Sequence, residues 1–441
     1  MSNSNSSSKS SRDDSENDSE YDSEYDSQDC SSSSDEIVDQ FDNLDLKGGI
    51  LNKYNILYEI GKGADAIVWL AFNIEDSKFY AIKINEPKEF KKGVDEFNFI
   101  KKLPLKLKCF NHLKESFNEI IQGEDGKTKK YSCGVFELHT GNLDCLLRKG
   151  EYQDGLTVEQ VKKIMYQLLT ALKYLHQKMK IYHADIKTDN ILLRGYNDFD
   201  EKMMEQYLKL DFMKNYTDAK NAIWLEKGKT LDSIDDMKKE EKLKIRKVVH
   251  KVLCEKLQYP NKEEKYNVNQ NYVDKCYISL SDFGAFCNED EHYDEEFGTR
   301  YYRAPEIILM GNCGYPVDIW SAGCVFYELL TGRILFDPEK DSTRTRDAYH
   351  LYHINRHMGD FPIGFLKKTK HWKQYFDING KLNNFEIEKR EFKDKLTNYG
   401  VTESQDDILE LLKGMLSISP NQRMNAEQCL RHNFFKGISI E

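Results

Sequence analysis

The chain has 441 residues, 39% of them hydrophobic and 12% aromatic, which excludes a largely disordered protein and leaves room for more than one domain. Its net charge of −11 comes from the first 48 residues, where fourteen Asp or Glu face three Lys or Arg; the remaining residues hold 61 of each sign, which argues against a nucleic-acid or membrane surface. No run of eighteen apolar residues occurs and the polar N-terminus indicates no signal peptide, and ten scattered cysteines without a C-x-x-C pair read as reduced thiols of an intracellular compartment rather than a zinc site or disulfide framework.

Residues 1–48 form an acidic, serine-rich tail. Its first forty alternate serine and acid with almost nothing apolar, so disorder is expected there. Those serines precede acids, as acidophilic casein-kinase-type enzymes prefer, and a plain solubilising tail is the other reading. From Tyr54 to Lys83 the runs "YNILYEIG", "AIVWLAF" and "KFYAIKI" are β-rich and separated by turn residues, which predicts an antiparallel meander. "KGVDEFNFIKKL" (92–103) predicts a helix. So does "TVEQVKKIMYQLLTALKYLHQKM" (157–179), with Thr157 as N-cap and Glu159 in the first turn, and the chain beyond it is mostly helical.

Residues 197–274 interrupt this pattern with sixteen acidic and sixteen basic residues. Within them, "SIDDMKKEEKLKIRKVVHKVLCEKL" (233–257) begins with a Ser-x-x-Asp cap signature. Ile245, Val249, Val252 and Leu253 fall on one face, predicting a surface-docked amphipathic helix.

The chemistry sits between these elements. In "GKGADAIV" (61–68), Gly61 and Gly63 would let backbone approach phosphate oxygens, although Ala66 replaces the third glycine of G-x-G-x-x-G, so a plain hairpin turn is the better reading of these residues alone. Lys83 lies in an apolar strand, where a lysine is rare without a partner; Glu96 on the following helix is placed to orient it. An edge lysine reaching to water is the structural alternative. "HADIKTDN" (183–190) supplies Asp185 to accept a hydroxyl proton, Lys187 to steady a phosphoryl group and Asn190 to ligate magnesium. "SLSDFGAF" (279–286) adds Asp282 as a second magnesium ligand. "GTRYYRAPEIIL", "DIWSAGCVFYELLTG" and "SPNQRMNAEQCLRHNFF" follow in order.

With these motifs in sequence, the chain resembles eukaryotic-type serine/threonine protein kinases from about residue 54 to residue 435. Among them it is most similar to the serine/arginine-rich splicing-factor kinases of the CMGC group, whose kinase core is divided at the same point. From Asn190 to Asp282 is 92 positions, against roughly a dozen in an ordinary kinase, and the excess matches the 197–274 insert.

The resemblance implies an α+β, bilobal protein-kinase fold. Its N-lobe would span 54–138 as a small antiparallel β-lobe with one helix, and its C-lobe 139–435 as a larger, mainly helical lobe. It implies ATP and Mg as cofactors. The ATP site would comprise Ile60, Gly61, Lys62, Gly63, Ala64, Asp65, Ala66, Ile67, Val68, Lys83, Glu96, Glu137 and His139, with Phe136 as gatekeeper. Asp185 and Lys187 would be catalytic, and Asn190 and Asp282 would hold the metal. By the same analogy Asp318 braces the catalytic loop and Glu306 pairs with Arg423. Implied partners are protein substrates, basic and Arg/Ser-rich in this subgroup, met by a monomer without nucleic acid or membrane. The acidic stretch 289–296 would suit a basic peptide, or simply be solvated.

Ala184 stands where most kinases have an arginine that binds a phosphate on the activation loop, and its methyl group cannot do so. Constitutive activity is therefore expected. A catalytically silent scaffold is the rival reading, weakened by the intact Lys83, Glu96, Asp185, Asn190 and Asp282. The abundance of Asn, Lys, Ile and Tyr suggests an AT-rich genome, such as that of a protist or its large DNA virus. The expected location is intracellular: the cytoplasm, or the host cytoplasm or virion for a viral chain, with nuclear entry open.

Overall fold

The computed structural model describes residues 46–438 except 64, 123–127, 140, 150–151, 260–272, 274, 290–295, 340 and 342. The expected disorder of residues 1–40, the position of Ala64, most of the acidic 289–296 stretch and the far end of the insert lie outside the described residues.

The β-rich runs form β1 (Ile50–Leu51), β2 (Tyr54–Lys62), β3 (Ala66–Asn73) and β4 (Lys78–Asn85), joined by β5 (Leu113–Gln122) and β6 (Thr128–Glu137). They make one antiparallel sheet in the order β1-β2-β3-β4-β6-β5. The meander is as the alternation predicts; β5 and β6 were not foreseen, because their long polar stretches blur the period-2 signal. Two register shifts in β2 against β3, at Ile56/Tyr58 and Glu59/Gly61, add local twist just before the glycine turn. One face of the sheet buries Ile56, Ile67, Trp69, Ile82, Ile84 and Val135. The other joins the main core through Leu57, Leu70 and Phe136, and against it lies α1 (Phe90–Ile100), which buries Phe97 and Ile100.

The larger, helical part is built around α3 (Val158–Tyr174) and α7 (Pro316–Thr331), after α2 (Leu143–Lys149). Thr157 caps α3 as expected, and its capping-box partner is Gln160: Thr157 Oγ1 accepts from the Gln160 N–H at 3.3 Å, and Gln160 Oε1 accepts from the Thr157 N–H at 3.0 Å. Every residue of α7 from Val317 to Thr331 is buried, which makes it the central helix of this lobe. Two short hairpins flank the loop 183–190 and the turn at Asp282: β7 (Ile181–Tyr182) with β10 (Cys287–Asn288), and β8 (Ile191–Leu193) with β9 (Ile278–Leu280).

The insert leaves at β8 and returns at β9, where Leu193 and Ile278 are direct partners. Its ends are thus one strand spacing apart, so a long excursion costs little in closure entropy. It contains α4 (Asp198–Lys209), α5 (Phe212–Glu226) and α6 (Lys239–Cys254). Trp224, Met237 and Ile245 give α5 and α6 a small core of their own.

Two expectations about α6 are corrected. The helix starts at Lys239, and Ser233–Asp236 belongs to a separate short turn (Leu231–Asp236), where Ser233 Oγ donates to the Thr230 carbonyl at 2.8 Å instead of capping. Val252 is exposed, because Arg246 and His250 take the buried face with Ile245 and Leu253. Those polar residues dock the insert on the β-lobe. Arg246 Nε donates to Asn55 Oδ1 at 2.9 Å and Arg246 Nη1 to the Asn52 carbonyl at 2.9 Å. Asn55 Nδ2 donates to the Tyr207 hydroxyl at 2.9 Å. His250 bridges the Ile56 carbonyl (2.8 Å) and the Tyr207 hydroxyl (3.1 Å). Since a carbonyl can only accept, Nε2 carries the proton and Nδ1 accepts from Tyr207, which leaves a neutral imidazole. Burial pulls its pKa down to about 4, in the same direction.

Candidate active site

Lys83 lies on the central strand β4, opposite Gly134 of β6 and Val68 of β3. Its ammonium donates to both oxygens of Glu96 on α1, at 2.9 and 3.0 Å, and to Asp282 Oδ1 at 2.9 Å. Burial would lower the lysine's pKa, but the charges of Asp282 and Glu96 outweigh it and hold the group protonated. The Lys83 charge holds the Asp282 carboxyl well below its usual range against the opposing effect of burial. Burial pushes Glu96 up, the nearby Lys83 only partly offsetting it. The lysine is a partnered charge at the centre of the sheet, not an edge residue.

Asp282 has a left-handed backbone (φ +60°), so the chain turns sharply before Phe283. The Phe283 ring is fully buried, 5.0 Å from the His183 ring and 5.4 Å from Phe99 of α1, which ties the turn to both lobes.

The loop 183–190 converges on the same space. Asp318 accepts from the backbone N–H of His183 (2.8 Å) and of Ala184 (3.0 Å), and lies 2.8 Å from His176 Nε2. This fully buried carboxylate braces the loop as the resemblance implies. Asp185 Oδ1 accepts from Thr299 N (3.0 Å) and Thr299 Oγ1 (2.8 Å), while Oδ2 accepts from Asn190 Nδ2 (3.0 Å). Lys187 Nζ is 3.3 Å from Asp185 Oδ2 and donates to Thr299 Oγ1 at 2.9 Å. Burial opposes the Lys187 charge, and Asp185 overcomes it, raising its pKa. Thr299 is the residue that the motif reading missed: a threonine within "GTRYY" carries no signal until the fold sets it on the Asp185 carboxylate.

Asn190 and Asp282 come from β8 and β9 ends, and Ser281 N donates to the Asn190 carbonyl at 2.9 Å, so the two are neighbours. With Asn190 Nδ2 given to Asp185, its Oδ1 accepts no hydrogen bond among the described residues, and neither does Asp282 Oδ2. Two open, hard oxygen donors fit a magnesium ion. At the glycine turn, a Cβ on Gly61 or Gly63 would meet protein atoms only at 3.8 Å, an ordinary contact. The protein itself does not demand glycine there, whereas a phosphate approaching the backbone would. Ile60 and Lys62 on β2 and Ala66, Ile67 and Val68 on β3 flank this turn, with Asp65 between the strands. Phe136 and Glu137 end β6, and His139 follows, its Nδ1 accepting from Gly195 N at 3.4 Å where the insert begins. Burial lowers the His139 pKa to about 4.

Downstream, Arg423 donates to Glu306 at 2.6 and 2.9 Å, both side chains essentially inaccessible. Glu296 accepts from Arg303 and lies 3.9 Å from Arg300, which also pairs with Asp347.

A family model described as the protein kinase domain matches residues 54–212 and 265–435, in two segments that leave the middle of the insert outside. The chain is 27% identical to a serine/threonine-protein kinase of Acanthamoeba polyphaga mimivirus, covering 93% of each chain. It is 26% identical to the serine/threonine-protein kinase SRPK of Physarum polycephalum (88% of this chain, 87% of the relative). It is also 26% identical to protein kinase dsk1 of Schizosaccharomyces pombe (85% and 79%). The two-segment match spans well over half the chain and meets the lysine–glutamate–aspartate geometry above; the chain belongs to the protein kinase family, as an ATP-dependent serine/threonine protein kinase with a β-sheet N-lobe and a helical C-lobe.

Proposed function

We propose that Asp185, Lys187, Lys83, Asn190 and Asp282 carry the transfer of the ATP γ-phosphate to serine or threonine hydroxyls of Arg/Ser-rich proteins. The observation that carries this reading is the set of contacts on Asp185: Thr299, Asn190 and Lys187 fix both carboxylate oxygens beside the Lys83–Asp282 pair. A carboxylate held this way orients an incoming hydroxyl and takes its proton as the phosphoryl group moves, and Lys187 offsets charge on that group. Lys83, aligned by Glu96, binds the phosphates, and the turn 60–68 covers them. Asn190 and Asp282 would hold magnesium, which when bound would supply charge neutralisation at the phosphate oxygens. Glu137 and His139 offer backbone groups to adenine.

The arginine/serine preference rests on the likeness to SRPK and dsk1 and on the shared position of the insert. The protein acts as a monomer, directly on protein and not on nucleic acid or membrane. The 197–274 segment is accessory to the chemistry. Phosphorylation of a peptide library by the full chain tests the proposal: serines flanked by arginine should dominate, and a preference for acidic or proline-directed sites would remove the substrate assignment while keeping the mechanism.

A further inference from the structure

A second lysine–carboxylate pair on α1 is not used by the chemistry above. Lys92 lies one helical turn before Glu96, and its Nζ donates to Asp65 Oδ2 at 2.7 Å. Asp65 sits on the glycine turn, where a carboxylate facing the phosphate site would repel the nucleotide unless a cation offset it. The turn is anchored at the same residue by its backbone: Glu86 N donates to the Asp65 carbonyl at 3.0 Å, and Gly63 N closes the turn on the Ala66 carbonyl at 2.9 Å. The stem of Lys92 lies over the other side of the site, with its Cε 3.5 Å from where a Cβ on Gly284 would stand. One α1 side chain thus bonds the glycine turn and lies close to the turn that presents Asp282, with Glu89 of the preceding turn 3.8 Å from the same ammonium.

We propose that Asp65 and Lys92 form a latch that holds the glycine turn down onto α1 over the bound phosphates, making Lys92 a positioning residue for the nucleotide rather than a phosphate ligand. The proposal rests on the reading of residues 60–68 as the phosphate cover. Glu96 on the same helix holds Lys83, so the latch also links closure of the turn to the placement of the phosphate-binding lysine. Both partners are nearly half exposed (45% and 47%), so the pair is solvent-screened and its effect is modest: about two- to five-fold on nucleotide affinity.

The test is a double-mutant cycle on the full chain. The dissociation constant for the magnesium complex of a non-hydrolysable ATP analogue is measured for Asp65→Asn, Lys92→Met, the double variant and the exchange Asp65→Lys with Lys92→Asp. Melting without nucleotide is followed in parallel. The latch predicts a coupling of about two- to five-fold between the two positions, near-native affinity in the exchanged variant and unchanged melting of the free protein. Strictly additive effects, or an exchanged variant as weak as Lys92→Met, would overturn it and make Lys92 a direct ligand. Lys83→Met separates the two readings: if it too leaves affinity and turnover intact, the phosphate site itself is misassigned, whereas its loss alongside an uncoupled Asp65–Lys92 pair removes only the latch.

Discussion

Ala184 has a left-handed backbone, φ +67°, and its carbonyl presses on Gly298, where a Cβ would come within 2.8 Å. Such a conformation costs a non-glycine residue about 1–2 kcal/mol. The two N–H groups held by Asp318 offset it. The alanine therefore keeps the bent loop while giving up the cation that would await a loop phosphate. Arg303 and Arg300 instead gather on Glu296, a carboxylate already in the chain. Two outcomes follow. Phosphatase treatment should leave kcat unchanged, as measured before and after on the full chain. Glu296→Gln should lower kcat by about three- to ten-fold through a looser activation segment, with the lost charge-assisted bond as cause. A large rate loss on dephosphorylation would show that another group binds a phosphate. The convergence of Asp185, Lys187, Asn190 and Asp282 on one space was legible because their motifs are local. Thr299 was not, since its role depends on a contact across 114 positions that no spacing rule encodes.

Among the elements, the insert departs furthest from what periodicity conveyed. An amphipathic helix is visible in sequence within residues 233–257, but not that Arg246 and His250 face inward, because a buried polar seam with partners nearly two hundred positions away looks like a solvated face in sequence. The seam joins Tyr207, His250, Arg246 and Asn55, and Tyr207 also packs its ring against Phe72 and Phe79 of the sheet. Tyr207→Phe keeps that packing and removes the partner of Asn55 Nδ2 and of His250 Nδ1, so it should cost about 1–3 kcal/mol in denaturant unfolding. Replacing residues 200–272 by a short linker removes no catalytic group. It should preserve phosphotransfer at low temperature but lower the melting temperature sharply, as Phe72, Phe79 and Tyr58 become exposed. A folded but inactive deletion protein would mean that the insert supports the chemistry itself.

At the scale of the whole molecule, acid should loosen the join between insert and β-lobe. His250 is fully buried and neutral, with a pKa near 4 in the folded chain against an ordinary 6.5. The unfolded chain binds its proton first as pH falls, so the stability is intact above 6.5 and is lost progressively down to about 4, at most about 3 kcal/mol from this group. Unfolding midpoints measured from pH 7 to pH 5 should fall, and a His250→Asn variant should start lower and fall less steeply. A parallel pH slope in both would assign the acid sensitivity elsewhere, with His112, His139, His350, His353 and His357 as the other histidines that burial holds low.

The Asp185 carboxylate, fixed by Thr299, Asn190 and Lys187, should align the hydroxyl that receives the phosphate. Single-turnover transfer of labelled γ-phosphate from ATP to an arginine–serine repeat peptide tests it most directly, with the wild type beside Asp185→Asn and with folding and nucleotide binding checked for both. The account predicts rapid transfer to serine by the wild type, and native folding and nucleotide affinity but a rate lower by about a hundred-fold or more in Asp185→Asn. Transfer by the variant within a few-fold of the wild type would contradict it.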